Sequence, residues 1–272
     1  PSIASVFSGL WPNQHGAGLI PGLKKISIAI SPPSVLLPDV RTIAQVASDS
    51  GFDTTVNSSS VWTFDQENAV DISRGFANFH KYVPGYGTLR DVYWRPQVEQ
   101  WTQTITEQEP GTRALNFVHF IEAHNWHFVA VPNLEKRLAS FTAEQLARYR
   151  QTAPERACED EESLYCKRYL VYAHAVEVLR DAIADMLDIL EAKDQLKDTA
   201  VVLFSDHGEE FNDHAGDGRQ LAVPVKYEFI GHGLSLYQEQ LHVPLVVWHP
   251  NLSGAVIDTP ASLIDIAPSA AS

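Results

Sequence analysis

Apolar positions along the chain fall into two kinds of run, and the two kinds alternate. Residues 39–50 set Val40, Ile43, Val46 and Ala47 on one helical face, with Gly51 just past the end, where a left-handed residue closes a helix. Residues 52–56 follow as a short strand. Residues 95–108 predict a helix with Pro96 in its first turn, where proline is tolerated. A buried strand is predicted over 115–121 and helices over 141–151 and 164–196. In the last of these Tyr169, Tyr172, Val176, Leu179, Ile183, Leu187 and Leu190 recur at intervals of three and four, the mark of a core-facing stripe. The run Val201-Val202-Leu203-Phe204 and residues 245–248 predict two more strands. Strands alternating with helices predict an α/β fold, a doubly wound, mostly parallel sheet sandwiched by helices. The proline-rich stretch Ser31-Pro32-Pro33-Ser34 reads as a loop. No internal repeat or linker divides residues 1–272, which read as a single domain.

Composition narrows the function more than the fold. The 272 residues are 44% hydrophobic, with a formal net charge of −14, which argues against unaided binding of nucleic acid. Part of that acidity is local, in Glu159-Asp160-Glu161-Glu162, and reads as solvated surface. No run approaches the roughly 18 apolar residues of a membrane helix. The two cysteines, Cys158 and Cys166, suit either a local disulfide in an exported protein or free thiols in a cytosolic one, and cannot complete a zinc site by themselves. The compartment, cytoplasmic or exported, stays open.

Chemistry concentrates in three histidine motifs. The strand ending at Phe204 runs into Ser205-Asp206-His207-Gly208-Glu209-Glu210. In open α/β sheets the ligand site lies beyond the carboxyl ends of the strands, and a carboxylate beside an imidazole suits a divalent cation. His124 follows the 115–121 strand, and His232 lies between Gly231 and Gly233. If the sheet is parallel, the first two loops open on one face. Glycines beside a histidine leave room for a bulky oxyanion, and a donor imidazole there stabilises charge on a transferring sulfuryl or phosphoryl group. For any one of the 11 histidines a hydrogen-bonded structural role is the plainer reading; as a set, these motifs point to catalysis. At the front of the chain, Pro1-Ser2 begins a helix start that Ser2 can cap. Its N-terminus favours an anion or nucleophile placed just before it.

These residues carry a resemblance. Pro1-Ser2 with Ser8-Gly9-Leu10-Trp11-Pro12-Asn13-Gln14-His15-Gly16 is similar to the segment that follows the nucleophile in the sulfatase family of the alkaline-phosphatase superfamily. Arg41-Thr42-Ile43-Ala44-Gln45-Val46 through Gly51-Phe52-Asp53-Thr54, Phe117-Val118-His119-Phe120-Ile121-Glu122-Ala123-His124, Gly231-His232-Gly233 with Leu236-Tyr237, Val243-Pro244-Leu245 and Ser262-Leu263-Ile264-Asp265-Ile266-Ala267-Pro268 continue it in order. The resemblance implies an alkaline-phosphatase/sulfatase-like fold and a metal-dependent hydrolase of sulfate esters or related phosphate esters. Asp206 and His207 would ligate the metal, calcium first, with magnesium or manganese as alternatives. His124 would meet the sulfate or phosphate group or the leaving oxygen. His232, where many sulfatases have lysine, would donate to an ester oxygen or protonate the leaving group, and His214 would line the pocket. The substrate would be a small-molecule or glycan ester, with specificity in loops 131–162 and 213–230.

The resemblance also sets expectations about what lies outside the chain. The nucleophile would stand two residues before Pro1 and the remaining metal ligands upstream of it, so residues 1–272 would be a catalytic domain truncated at both ends and inactive alone. Ile3 replaces the arginine that accompanies formylglycine, Ser58-Ser59-Ser60-Val61-Trp62 replaces a lysine- and histidine-bearing segment, and His207 replaces asparagine. The last difference is shared with phosphonate and phosphodiester hydrolases. Two alternatives follow: a phosphoglycerol transferase or phosphodiesterase of the same superfamily, and a non-catalytic sulfatase-like module.

Overall fold

A computed structural model describes residues 2–17, 35–59, 71–81, 94–109, 111–124, 131–214, 230–233 and 236–272. The first helices are α1 (Ser2–Ser8), α2 (Pro12–His15) and α3 (Ile43–Asp49), and strands β1 (Asp53–Ser58) and β2 (Asn78–Lys81) follow. Helix α4 (Trp94–Glu107) leads to β3 (Ala114–His119), and α5 (Val131–Leu138), α6 (Ala143–Gln151) and α7 (Leu164–Ala192) form the central helical stretch. The remainder comprises β4 (Val201–Phe204), β5 (Glu210–Phe211), β6 (Ile230–Gly231), α8 (Gln238–Leu241), β7 (Leu245–Trp248) and α9 (Ile266–Ala271). The loop expected at 31–34, most of 213–230 and residues 60–62 lie outside the described residues.

A parallel sheet in the order β2-β1-β3 forms the centre. β1 is buried from Thr54 to Ser58 although most of those side chains are polar. Hydrogen bonds account for part of this: Thr54 Oγ1 donates to the Gly75 carbonyl and accepts from the Ala77 amide, as most buried polar groups find partners. Helix α1 packs Phe7 edge-on against Phe117 of β3, with ring centroids 4.8 Å apart, and Phe117 in turn meets Phe204 of β4 at 6.3 Å. Val98, Trp101 and Ile105 of α4 form buried clusters with Ala182 and Leu190 of α7, against which Val118 and Phe120 pack. Helices on either side of a parallel sheet are the expected α/β layering.

Several boundaries move for identifiable reasons. Helix α3 starts at Ile43 rather than 39, because the Thr42 side chain accepts the Gln45 amide and Gln45 reaches back to the Thr42 amide; Thr142 and Gln145 do the same for α6. This reciprocal cap satisfies two otherwise orphaned donors. Gly51 closes α3 with φ +79° as expected. Helix α7 ends at Ala192, not 196; Asp194 takes φ +57° and a 3-10 turn covers Leu196–Asp198. Its buried residues are Cys166, Tyr169, Leu170, Val171, Ala182 and Leu190, while Val176 is exposed. Ser2 lies within α1 rather than capping it. The C-terminal pair β4–β7 is antiparallel, a local departure from the parallel expectation, and β5 and β6 pair antiparallel as well. Cys158 and Cys166 are joined in a disulfide, next to the Ser163 cap of α7.

Candidate active site

Strand β4 ends at Phe204, and the chain bends at once. The Ser205 hydroxyl donates to the His207 carbonyl at 2.6 Å, which fixes the turn that presents Asp206 and His207. His207 Nδ1 lies 2.9 Å from the Gly208 carbonyl. A carbonyl can only accept, so Nδ1 carries a proton and Nε2 is the nitrogen left to ligate a metal. That Nε2 lies 3.6 Å from Asp206 Oδ2, and each side chain is about one-third exposed. The donor set fits two positions of a divalent-cation site. Among the described residues, no three histidine, cysteine, aspartate or glutamate side chains converge closely enough to hold an ion.

His232 arrives from the other direction, between Gly231 and Gly233, both at positive φ. Its ring stacks on His207 with centroids 3.8 Å apart and planes 29° from parallel. His124 follows β3 in a short 3-10 turn, its amide donating to the Ile121 carbonyl at 2.9 Å, and its ring centroid lies 5.3 Å from that of His232. The four residues expected from the sequence therefore converge: Asp206, His207, His232 and His124 occupy one neighbourhood built from the ends of β3, β4 and β6.

Of the residues around them, His214 was expected from the sequence, and Glu209, Tyr172 and His119 were not. The Glu209 side chain is 6% exposed and places Oε1 3.0 Å from His232 Nδ1. Tyr172 of α7 is pushed up to about 12 by burial and by the nearby Glu209 charge. His119, at the end of β3, is held below the ordinary histidine value by burial; Asp206 opposes that shift and His207 adds to it. His214 stacks on Tyr237 at 3.7 Å and places Nε2 3.1 Å from Glu239 Oε2. His15 belongs elsewhere: fully buried, it accepts the Ala17 amide at Nδ1 and meets Ser5 Oγ at 3.0 Å through Nε2, tying α1 to α2.

Close backbone approach completes the site. A Cβ on Gly208 would run into the Glu239 carbonyl oxygen and lie 3.2 Å from the Gln240 Cα, and the Gly208 amide donates to the Gln240 carbonyl at 2.9 Å. Only glycine lets α8 sit this close against the Asp206–His207 loop.

Comparison with known proteins agrees with this architecture. The sulfatase family model matches residues 1–272. No curated protein matches. Among solved structures, a Bacteroides thetaiotaomicron protein described under metabolism of multiple glycosaminoglycans superposes with a TM-score of 0.69 at 18% identity, covering 99% of this chain and 59% of that one. The phosphonate monoester hydrolase of Agrobacterium radiobacter gives 0.63 at 16% identity, covering 98% and 62%. The C-terminal periplasmic domain of EcEptC from Escherichia coli, solved in complex with zinc, gives 0.53 at 14% identity, covering 78% and 53%. The chain thus spans less than two thirds of each of these structures, and at such identities the likeness is one of fold. With the family model matched from end to end, the chain belongs to the sulfatase family.

Proposed function

We propose that this chain carries the metal- and leaving-group-binding part of a hydrolase of sulfate esters, with a small molecule or glycan as the alcohol. The convergence of Asp206, His207, His232 and His124 at the ends of three strands carries the reading. Asp206 and His207 Nε2 would hold a divalent cation, which supplies Lewis-acid charge against the negative charge developing on the ester oxygens. Calcium leads on family resemblance, with magnesium and manganese behind it. His232 binds Glu209 through Nδ1 and turns Nε2 to the ester oxygen, where it protonates the departing alcohol. Glu209 stabilises the imidazolium and fixes its tautomer. His124 stabilises the equatorial oxygens of the group in transfer.

A second reading, hydrolysis or transfer of phosphate or phosphonate esters, has two supports: His207 beside Asp206, and the similarity to a phosphonate monoester hydrolase. The Cys158–Cys166 disulfide favours maturation in an oxidising, exported compartment. Turnover of aryl sulfate, phosphate monoester and phosphodiester substrates by the full-length protein tests these readings. A rate on one class that collapses with Asp206→Ala is expected. No turnover of any class, with no divalent-ion binding, would leave the non-catalytic module standing.

A further inference from the structure

We propose that Gln240 is the positioning residue that holds the His232 loop in register with the Asp206–His207 loop. The inference rests on the reading of His232 as the group that protonates the leaving alcohol. Gln240 lies in the four-residue helix α8 and is 4% exposed, an expensive place for a primary amide unless its polar atoms are used. Two bonds use them, and a third is made by the backbone. Its backbone carbonyl accepts the Gly208 amide at 2.9 Å. Its side-chain Oε1 accepts the Gly233 amide at 2.8 Å. Its Nε2 donates at 3.1 Å to Oε2 of Glu210, a residue with no exposure at all.

Each of these partners is the chain neighbour of a residue in the candidate site. Gly208 follows His207, Gly233 follows His232, and Glu210 follows Glu209, whose carboxylate meets His232 Nδ1. One buried residue, through its side chain and its backbone carbonyl, therefore ties together the two loop segments whose relative placement sets the 3.8 Å stacking of His207 on His232. The register β5–β6 contributes only the pairs Glu210↔Gly231 and Phe211↔Ile230, too short a ladder to fix an imidazole by itself. An amide is also the side chain that suits this place. Gly233 needs an acceptor and the Glu210 carboxylate needs a donor, and glutamine offers one of each.

The test compares leaving groups in the full-length protein. Gln240→Met keeps the volume and the backbone bond to Gly208 and removes both side-chain bonds. If Gln240 positions His232, the variant behaves as a weakened His232→Ala. Esters of poorly acidic alcohols lose about 10- to 100-fold in kcat, nitrophenyl esters lose little, and KM changes little, since displacement of a general acid by about 1 Å costs on this order. General loosening of the fold would instead lower both substrate types alike. Gln240→Glu keeps the acceptor for Gly233 but sets a second carboxylate against Glu210; it should show the same leaving-group dependence in weaker form, and it serves if the methionine variant does not fold, an unchanged dependence then overturning the role. A leaving-group-dependent loss in His232→Ala without the same trend in Gln240→Met overturns the role of Gln240. No such dependence in His232→Ala overturns the assignment of His232 itself.

Discussion

Replacing Gly208 by alanine isolates a single close approach. No positive φ is needed at this position, so alanine meets no left-handed backbone penalty, but its Cβ meets the Glu239 carbonyl group and, at 3.2 Å, the Gln240 Cα. Overpacking of this kind costs about 1–3 kcal/mol. Separating the backbones also breaks the 2.9 Å bond from Gly208 to Gln240, adding about 1 kcal/mol. The sum, about 2–4 kcal/mol, lowers Tm by about 5–15 °C in a domain of this size. The displaced turn carries Tyr237, Glu239 and Gln240, so turnover falls as well. Thermal unfolding followed by near-ultraviolet circular dichroism measures the first effect. Gly254→Ala, with nothing within 4 Å of its added carbon, serves as the matched control. A Gly208→Ala protein melting within about 1 °C of wild type would refute the packing described here.

Burial holds the His15 imidazole below its ordinary value, so the unfolded chain binds a proton at higher pH than the folded one. Its contribution is present above the unfolded value near 6.5 and is lost as pH falls below it; Tm measured from pH 7 to 5 should therefore drop less steeply in His15→Gln, and an unchanged slope counts against the burial argument. Phe211 is 1% exposed and packs on Tyr169 and Tyr172, with ring centroids 5.3 and 5.1 Å away. Phe211→Ala should cost about 3–5 kcal/mol in urea unfolding, and a loss below about 1 kcal/mol would contradict the link between α7 and the site. The disulfide closes a loop with a sequence separation of 8, worth about 2.5 kcal/mol by loop entropy; Cys158→Ser with Cys166→Ser should unfold earlier by that amount, and equal stability would refute it.

Much of this molecule was legible because its signals are local. The apolar run before Asp206 marked both a strand and the place where its ligands emerge, and β4 ends at Phe204 as read. Helix starts shifted where a threonine and a glutamine three residues later cap each other, at Thr42 and Thr142; that signal was present and outweighed by the apolar pattern. Strand β1 runs two residues past its expected end because Asn57 and Ser58 are polar yet buried, and periodicity cannot report a partner such as His119, 61 positions from Ser58. Strand direction was equally hidden: alternation of strands and helices does not reveal that β7 runs against β4. The site divides in the same way. Asp206, His207 and His124 announce themselves by residue type just after an apolar strand and His232 by its flanking glycines, whereas Glu209 is identified only by His232, 23 positions away, and Gln240 only by Gly208, Gly233 and Glu210.

A double-variant cycle of Asp206→Ala and His232→Ala, measured as kcat/KM of the full-length protein on its best sulfate or phosphate ester, tests most directly whether these loops form one catalytic site. Residues that act on the same transferring group are strongly non-additive: each single variant should lose a factor of about 100 or more, and the pair should lose little beyond the worse single. Small losses that simply multiply would contradict a shared site.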